Sequence, residues 1–387
     1  MYIASNNSLR SASPAKKPLA PAGQHQYNRY GVQEWRDAFD LIGVNYSVHR
    51  MLSIKETVGD RLILGTESGS TISSRGIYHL PAVKLRQWDD IKSADGQNSS
   101  YDLSSPSWAN TPDKDFALYE DYPWAIGQFV WTGFDYLGEP CPHEDESWPN
   151  HSSMFGIIDL ASIPKDRFYL FRSVWNEDEH TLHMLPHWNW ESGQTVPVFV
   201  YTDYPAAELF LNGKSLGVQK KVVPTQKTTG AREENVEPRY RLMWMDVKYE
   251  PGELMAVALD ENNQPVDTIY MRTAGEPAAI RLDYDGRRIK ADGEDLAYVT
   301  VNIVDKDGNI CPFADNQVTF EVSGNGIFKA CANGNPRCIE PFAGPSMQAF
   351  NGKLTAIVQG TKPASKLYLK ASAPGLKDAT ITIRTQY

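Results

Sequence analysis

The sequence predicts an α/β unit built as the C-terminal strands of a partial (β/α)8 TIM barrel, followed by two all-β immunoglobulin-like sandwich domains. Three observations predict it. First, the runs LIGVNY (41–46), RLILGTE (61–67) and AIGQFVWT (125–132) are apolar and each closes on a polar or aromatic residue. Runs of this kind suit parallel strands covered on both faces, and functional residues at C-terminal strand ends are typical of a (β/α)8 barrel. Second, from about residue 183 the texture changes to short strands of alternating apolar and polar residues separated by Asn-Gly and Asp-Gly turns. Third, TAGEP (273–277) marks a boundary between two such all-β stretches.

The elements follow in chain order. Residues 1–31 are rich in Ser, Ala, Pro and Lys, lack the apolar stretch of a signal peptide, and read as a disordered tail. Residues 34–39 form a short helical turn, and helical signals recur near 114–121. An amphipathic helix over 166–176 closes the first unit, assigned to 32–182 as the C-terminal part of a barrel catalytic domain. Within 183–274, strands are expected at 195–203, 207–211, 240–249 and 253–260, forming a small β-sandwich. Asn212-Gly213 after AELFL is a hairpin signal, because a type I′ turn needs positive φ at both positions. Within 275–387, strands at 279–284, 297–305, 317–322, 353–358, 366–371 and 378–384 make the immunoglobulin-like sandwich.

Composition narrows the function classes. The 387 residues carry a net charge of -10, which argues against nucleic-acid binding and suits a neutral partner. The 10 Trp, 19 Tyr and 14 Phe are compatible with stacking on sugar rings, and equally with filling sheet-rich cores. The four cysteines include no Cys-x-x-Cys pair, so a structural zinc site is not expected, and no metal-ligating residues are assigned. Cys331 and Cys338 bracket a Gly/Asn/Pro loop and suit either a disulfide or free thiols. No run of about 18 apolar residues occurs, so no membrane-spanning helix is expected.

Glu67 closes the second apolar run within GTESGS (65–70), where small neighbours leave room for a ligand. The surroundings sharpen that reading. LIGVNY (41–46), ILGTESGS (63–70), SSRGIYHLP (73–81), GQFVWTGFDYLGEP (127–140), SSMFGIIDLASIPKDRFYLFRSVW (152–175) and LHMLPHWNW (182–190) together resemble the β-galactosidases of glycoside hydrolase family 2, especially the forms common in gut Bacteroidetes. The resemblance implies retaining hydrolysis of terminal β-galactosides. In that chemistry a carboxylate attacks the anomeric carbon and forms a glycosyl-enzyme.

In these terms Glu67 is the expected nucleophile. Asn45 and Tyr46 lie at the end of the preceding strand, with Tyr46 contacting the nucleophile. Trp131 forms a wall of the sugar pocket, and Asp135 and Glu139 shape it by hydrogen bonding. Arg75 and His79 are expected at the entrance, and His187-Trp188-Asn189-Trp190 in an interdomain packing motif. No cofactor is implied. The partner is a β-galactoside oligosaccharide or glycan, and a periplasmic or secreted location is implied by the resemblance alone.

One part of the reaction has no counterpart. A retaining glycosidase needs a second carboxylate about 5–5.5 Å from the nucleophile, to protonate the leaving oxygen. The family places it after an Asn at the end of an earlier strand, and nothing in residues 1–40 offers that pattern. The expectation is therefore a chain lacking its acid/base half and inactive alone, with the N-terminal half of the enzyme as a partner. A barrel takes about 250 residues and draws its interior from all eight strands, so residues 32–180 are expected to fold poorly alone. The alternative is a non-catalytic carbohydrate-binding or interaction module built on the β-sandwich domains.

Overall fold

The computed structural model describes residues 41–85, 90–144 and 147–387. The tail expected over 1–31 and the helical turn expected over 34–39 lie outside the described residues. In the first unit, β1 (Leu41–Asn45), β2 (Leu62–Gly69) and β3 (Ala125–Trp131) form a parallel sheet in the order β1-β2-β3. Three helices accompany it: α1 (Met51–Val58), α2 (Pro112–Asp121) and α3 (Asp166–Trp175).

Helix α1 buries Met51, Ile54 and Val58, a three-four spacing that lays one apolar stripe on the sheet. Helix α2 starts with Pro112 in its first turn, where a missing N–H costs nothing, and carries Asp113 and Asp115 in that same turn. Ile42, Val44, Ile63, Leu118 and Ala125 complete the core between sheet and helices. At Gly65 on β2, a Cβ would collide with the hydroxyl of Tyr119 from α2.

The second unit is a β-sandwich. One sheet runs β4 (Leu182–Leu185), β5 (Val198–Thr202), β8 (Arg241–Trp244). The other runs β10 (Pro265–Arg272), β9 (Glu253–Leu259), β6 (Ala206–Leu211), β7 (Lys214–Lys220). Asn212 and Gly213 take φ of 50° and 78° between β6 and β7, so the expected hairpin turn is present. The strand expected over 240–249 is shorter, with β8 ending at Trp244.

The third unit is a second sandwich. Its sheets run β11 (Ala279–Asp283), β13 (Leu296–Val304), β17 (Lys353–Gly360), β15 (Gly326–Ala332), and β12 (Ile289–Lys290), β19 (Ala379–Gln386), β18 (Lys366–Ser372), β14 (Gln317–Gly324), β16 (Ser346–Gln348). Val299, Val301, Leu354, Ala356, Leu367 and Leu369 meet between them. Cys331 and Cys338 are both free thiols.

The units share cores. All five residues of β5 are buried, because both of its faces are covered. Val198 and Val200 fill the second unit, whereas Phe199 and Tyr201 pack with Tyr101, Phe116 and Leu170 of the first. Across that seam, Arg241 Nε donates to Asp113 at 2.7 Å and Arg241 Nη1 donates to the Tyr101 carbonyl at 2.8 Å, all fully buried. The motif at 187–190 sits between units as expected. Asn189 exchanges hydrogen bonds with Ala274, and His187 packs edge-on against Tyr78 and Phe313.

Candidate active site

The parallel register gathers the strand ends. Asn45 stands beside Glu67, and Gly69 beside Trp131. Beyond Asn45 the chain turns sharply, with Tyr46 at φ 52° and Ser47 at φ 53°. This turn aims the Tyr46 ring along the sheet edge. Its hydroxyl donates to Glu67 Oε2 at 2.8 Å, and its backbone N–H donates to the Glu67 carbonyl at 2.5 Å. Burial raises the phenol above its ordinary pKa, as does Glu67, against an opposing hydrogen bond from Ser70. Tyr46 is therefore a protonated donor over the whole working range. The Thr66 hydroxyl donates to Asn45 Oδ1 at 2.6 Å, which fixes the buried Asn45 amide.

Trp131 ends β3, joined to Thr132 by a cis peptide, and its carbonyl accepts from the Ser70 N–H at 3.0 Å. The indole Nε1 donates to the Tyr136 hydroxyl at 3.0 Å, and Tyr136 in turn donates to Glu139 Oε2. The two rings meet edge to face, with centroids 5.9 Å apart. The chain Trp131, Tyr136, Glu139 thus holds an indole and an exposed carboxylate in one frame. Tyr136 was not anticipated from the sequence. Its signal is the aromatic five residues past Trp131, which looks like any core tyrosine until its hydroxyl is placed.

Two expectations need correction. Asp135 does not offer its carboxylate to a ligand. It is buried, Oδ1 accepts from the Gly156 N–H at 2.7 Å, and Lys165 Nζ lies 2.7 Å from Oδ2. Burial pushes its pKa up to about 6, against the pull of Lys165. Arg75 is no entrance residue either. It is 6% exposed and its guanidinium is spent on Asp159 at 2.6 Å and on the carbonyls of Asn333 and Phe350. Both side chains point inward because the loops after β2 and β3 pack against each other. His79 pairs with Asp95 at 3.0 Å and borders a cavity of about 50 Å³ whose walls include none of Tyr46, Glu67 and Trp131.

Among the described residues, three cations around these loops are committed to buried partners. Arg75 pairs with Asp159, Lys165 with Asp135, and Arg167 Nε lies 3.0 Å from Asp102, with all six side chains nearly or wholly buried. Against them, Glu67 is half-buried and Glu139 exposed.

The chain resembles known proteins over most of its length. Residues 280–382 match the glycoside hydrolase family 2 C-terminal domain 5, and residues 193–267 match a domain of unknown function. The chain is 38% identical over 353 residues to beta-galactosidase BoGH2A of Bacteroides ovatus, covering 90% of this chain and 39% of that protein. It is 30% identical over 282 residues to a putative beta-glucuronidase of Formosa agariphila, covering 72% of this chain and 25% of that one. Among solved structures, a beta-glycosidase from Bacteroides vulgatus superposes with a TM-score of 0.74 at 28% identity, over 89% of this chain and 45% of that chain. A glycosyl hydrolase family 2 member from Bacteroides cellulosilyticus gives 0.69 at 26% identity, over 92% and 43%. The chain thus spans less than half the length of each of these relatives.

Proposed function

Because this chain carries the C-terminal domains of glycoside hydrolase family 2 and belongs to that family, we propose that it supplies the nucleophilic half of a retaining β-galactosidase site, with Glu67 as the nucleophile. In this reading β1, β2 and β3 are the last three strands of a (β/α)8 barrel, and their C-terminal ends form one side of the sugar pocket. The observation that carries it is the hydrogen bond from the Tyr46 hydroxyl to Glu67 Oε2. A protonated phenol on one oxygen orients the carboxylate and leaves Oε1 to attack the anomeric carbon. Bond formation at Oε1 expels the leaving oxygen, which takes its proton from the acid/base carboxylate. A water molecule then returns the sugar with net retention.

Charge favours a neutral sugar over a uronate. Recognition of a glucuronide carboxylate calls for a cation with capacity to spare; among the described residues, Arg75, Lys165 and Arg167 are buried in ion pairs, and Lys84 and Lys92 pair with Glu237 and Glu144. The exposed Glu139 carboxylate is instead suited to accept from sugar hydroxyls and would repel a uronate. Trp131, held upright by Tyr136, offers the flat apolar surface against which a pyranose face packs.

The test is covalent trapping with a 2-deoxy-2-fluoro-β-galactoside bearing a dinitrophenolate leaving group, which departs without an acid. A single fluorogalactosyl adduct on the peptide containing Glu67, absent in Glu67→Gln, supports the assignment. An adduct on another carboxylate overturns it.

A further inference from the structure

Rather than guarding the entrance, Arg75 stands where the first unit meets the third. It lies eight positions after Glu67, and all of 68–75 are buried. That strap is tied along its length. Ser70 N–H donates to the Trp131 carbonyl at 3.0 Å, Ser73 N–H to Met154 at 3.1 Å and Ser74 N–H to Asn98 at 2.8 Å. The loops that receive these bonds are themselves held by one turn of the third unit, 333–337. Arg337 donates to the Asp95 carbonyl at 2.6 Å, Gln97 donates to Asn335 at 3.0 Å, and the His151 N–H donates to the Pro336 carbonyl at 3.1 Å. Arg75 closes the set. Its guanidinium joins Asp159 to the carbonyls of Asn333 and Phe350, and its own carbonyl accepts from Asn351 Nδ2 at 2.8 Å.

We propose that Arg75 is a positioning residue that couples the third unit, through the turn at 333–337, to the setting of Glu67. This rests on the nucleophile reading above. The planar fork matters, because it meets one carboxylate and two carbonyls at once, which a lysine ammonium cannot reproduce in the same directions. Without it the Asp159 side chain, wholly buried, faces no countercharge from this strap, and the strap loses its fixed far end. Misplacement of a reacting group by about 1 Å costs on the order of 100-fold in rate, so the effect should fall on the bond-forming step and not on sugar binding.

The experiment uses the whole chain and the dinitrophenyl 2-deoxy-2-fluoro-β-galactoside, following adduct formation by intact mass and amide exchange over 68–76. Arg75→Met is expected to lower the limiting labelling rate by about 10- to 100-fold with little change in the half-saturating concentration. Arg75→Lys should fall between, and exchange over 68–76 should rise in step. A folded Arg75→Met that labels at the parent rate overturns the proposal. If Arg75→Met does not fold, Asn351→Ala replaces it, with slower labelling supporting the coupling and an unchanged rate refuting it. If the parent chain takes no label, the nucleophile reading of this chain fails separately. Exchange then decides the coupling: faster exchange over 68–76 in Arg75→Met supports it, and unchanged exchange overturns it.

Discussion

The Tyr46 hydroxyl reaches Glu67 Oε2 across two adjacent strand ends at 2.8 Å, while the Tyr46 N–H holds the Glu67 carbonyl at 2.5 Å. One residue therefore fixes both the backbone and the side chain of the proposed nucleophile. Tyr46→Phe keeps the ring and removes the side-chain bond. A hydrogen bond to a charged group contributes about 1.5–3 kcal/mol, so the rate of glycosyl-enzyme formation should drop by roughly 10- to 100-fold. Stopped-flow release of dinitrophenol measures this, and a change under twofold would contradict the role.

The seam between the first two units depends on Arg241 and Asp113, both fully buried. Removing one partner leaves a buried charge uncompensated, at a cost of about 3–5 kcal/mol. Arg241→Met and Asp113→Asn should each lower the denaturant midpoint sharply, and the first unit should become the earlier target of limited proteolysis. Equal stability in both variants and the parent would mean that the shared apolar core alone joins the units.

Asp115 gives a pH dependence of defined sign. Burial raises its carboxyl to about 8, although the Gly69 N–H donates to it at 2.9 Å. In the unfolded chain it ionises near the ordinary carboxylate value of about 3.9. Between those values the folded state holds the extra proton, so this group makes stability fall as pH rises from about 4 to about 8 and then level off. The slope from one group cannot exceed about 1.4 kcal/mol per pH unit. Asp115→Asn should flatten that fall, as read from urea midpoints at pH 5, 6.5 and 8.

Gly65 faces the Tyr119 hydroxyl closely enough that a Cβ would collide with it. Gly65→Ala should cost about 1–3 kcal/mol as overpacking, and adding Tyr119→Phe should recover part of the loss. A neutral Gly65→Ala in thermal melts would show that α2 can shift away from β2 freely.

What the sequence discloses divides along burial. β1, β2 and β3 are legible because strands covered on both faces write continuous apolar runs, and Asn45, Glu67 and Trp131 stand out as the polar or aromatic residues that close them. β7 and β10 are harder to read: nearly every residue of Lys214–Lys220 and Pro265–Arg272 is exposed, so no alternation marks a buried face. α1 was missed because eight residues with three apolar positions give a weak period. Tyr136, Asp135 and Arg75 show the same limit at the site. Tyr136 bonds to near neighbours, but Asp135 and Arg75 close on residues far along the chain, and no local pattern distinguishes a carboxylate aimed at a sugar from one closed on Lys165.

The central claim is that Glu67 attacks a galactoside, and pre-steady-state release from dinitrophenyl β-galactoside tests it most directly. This leaving group departs without protonation, so bond cleavage requires only the nucleophile and its pocket. A burst or turnover that vanishes in Glu67→Gln, and is far smaller with the matching β-glucuronide, is the expected result. Equal release in Glu67→Gln, or a preference for the glucuronide, would contradict it.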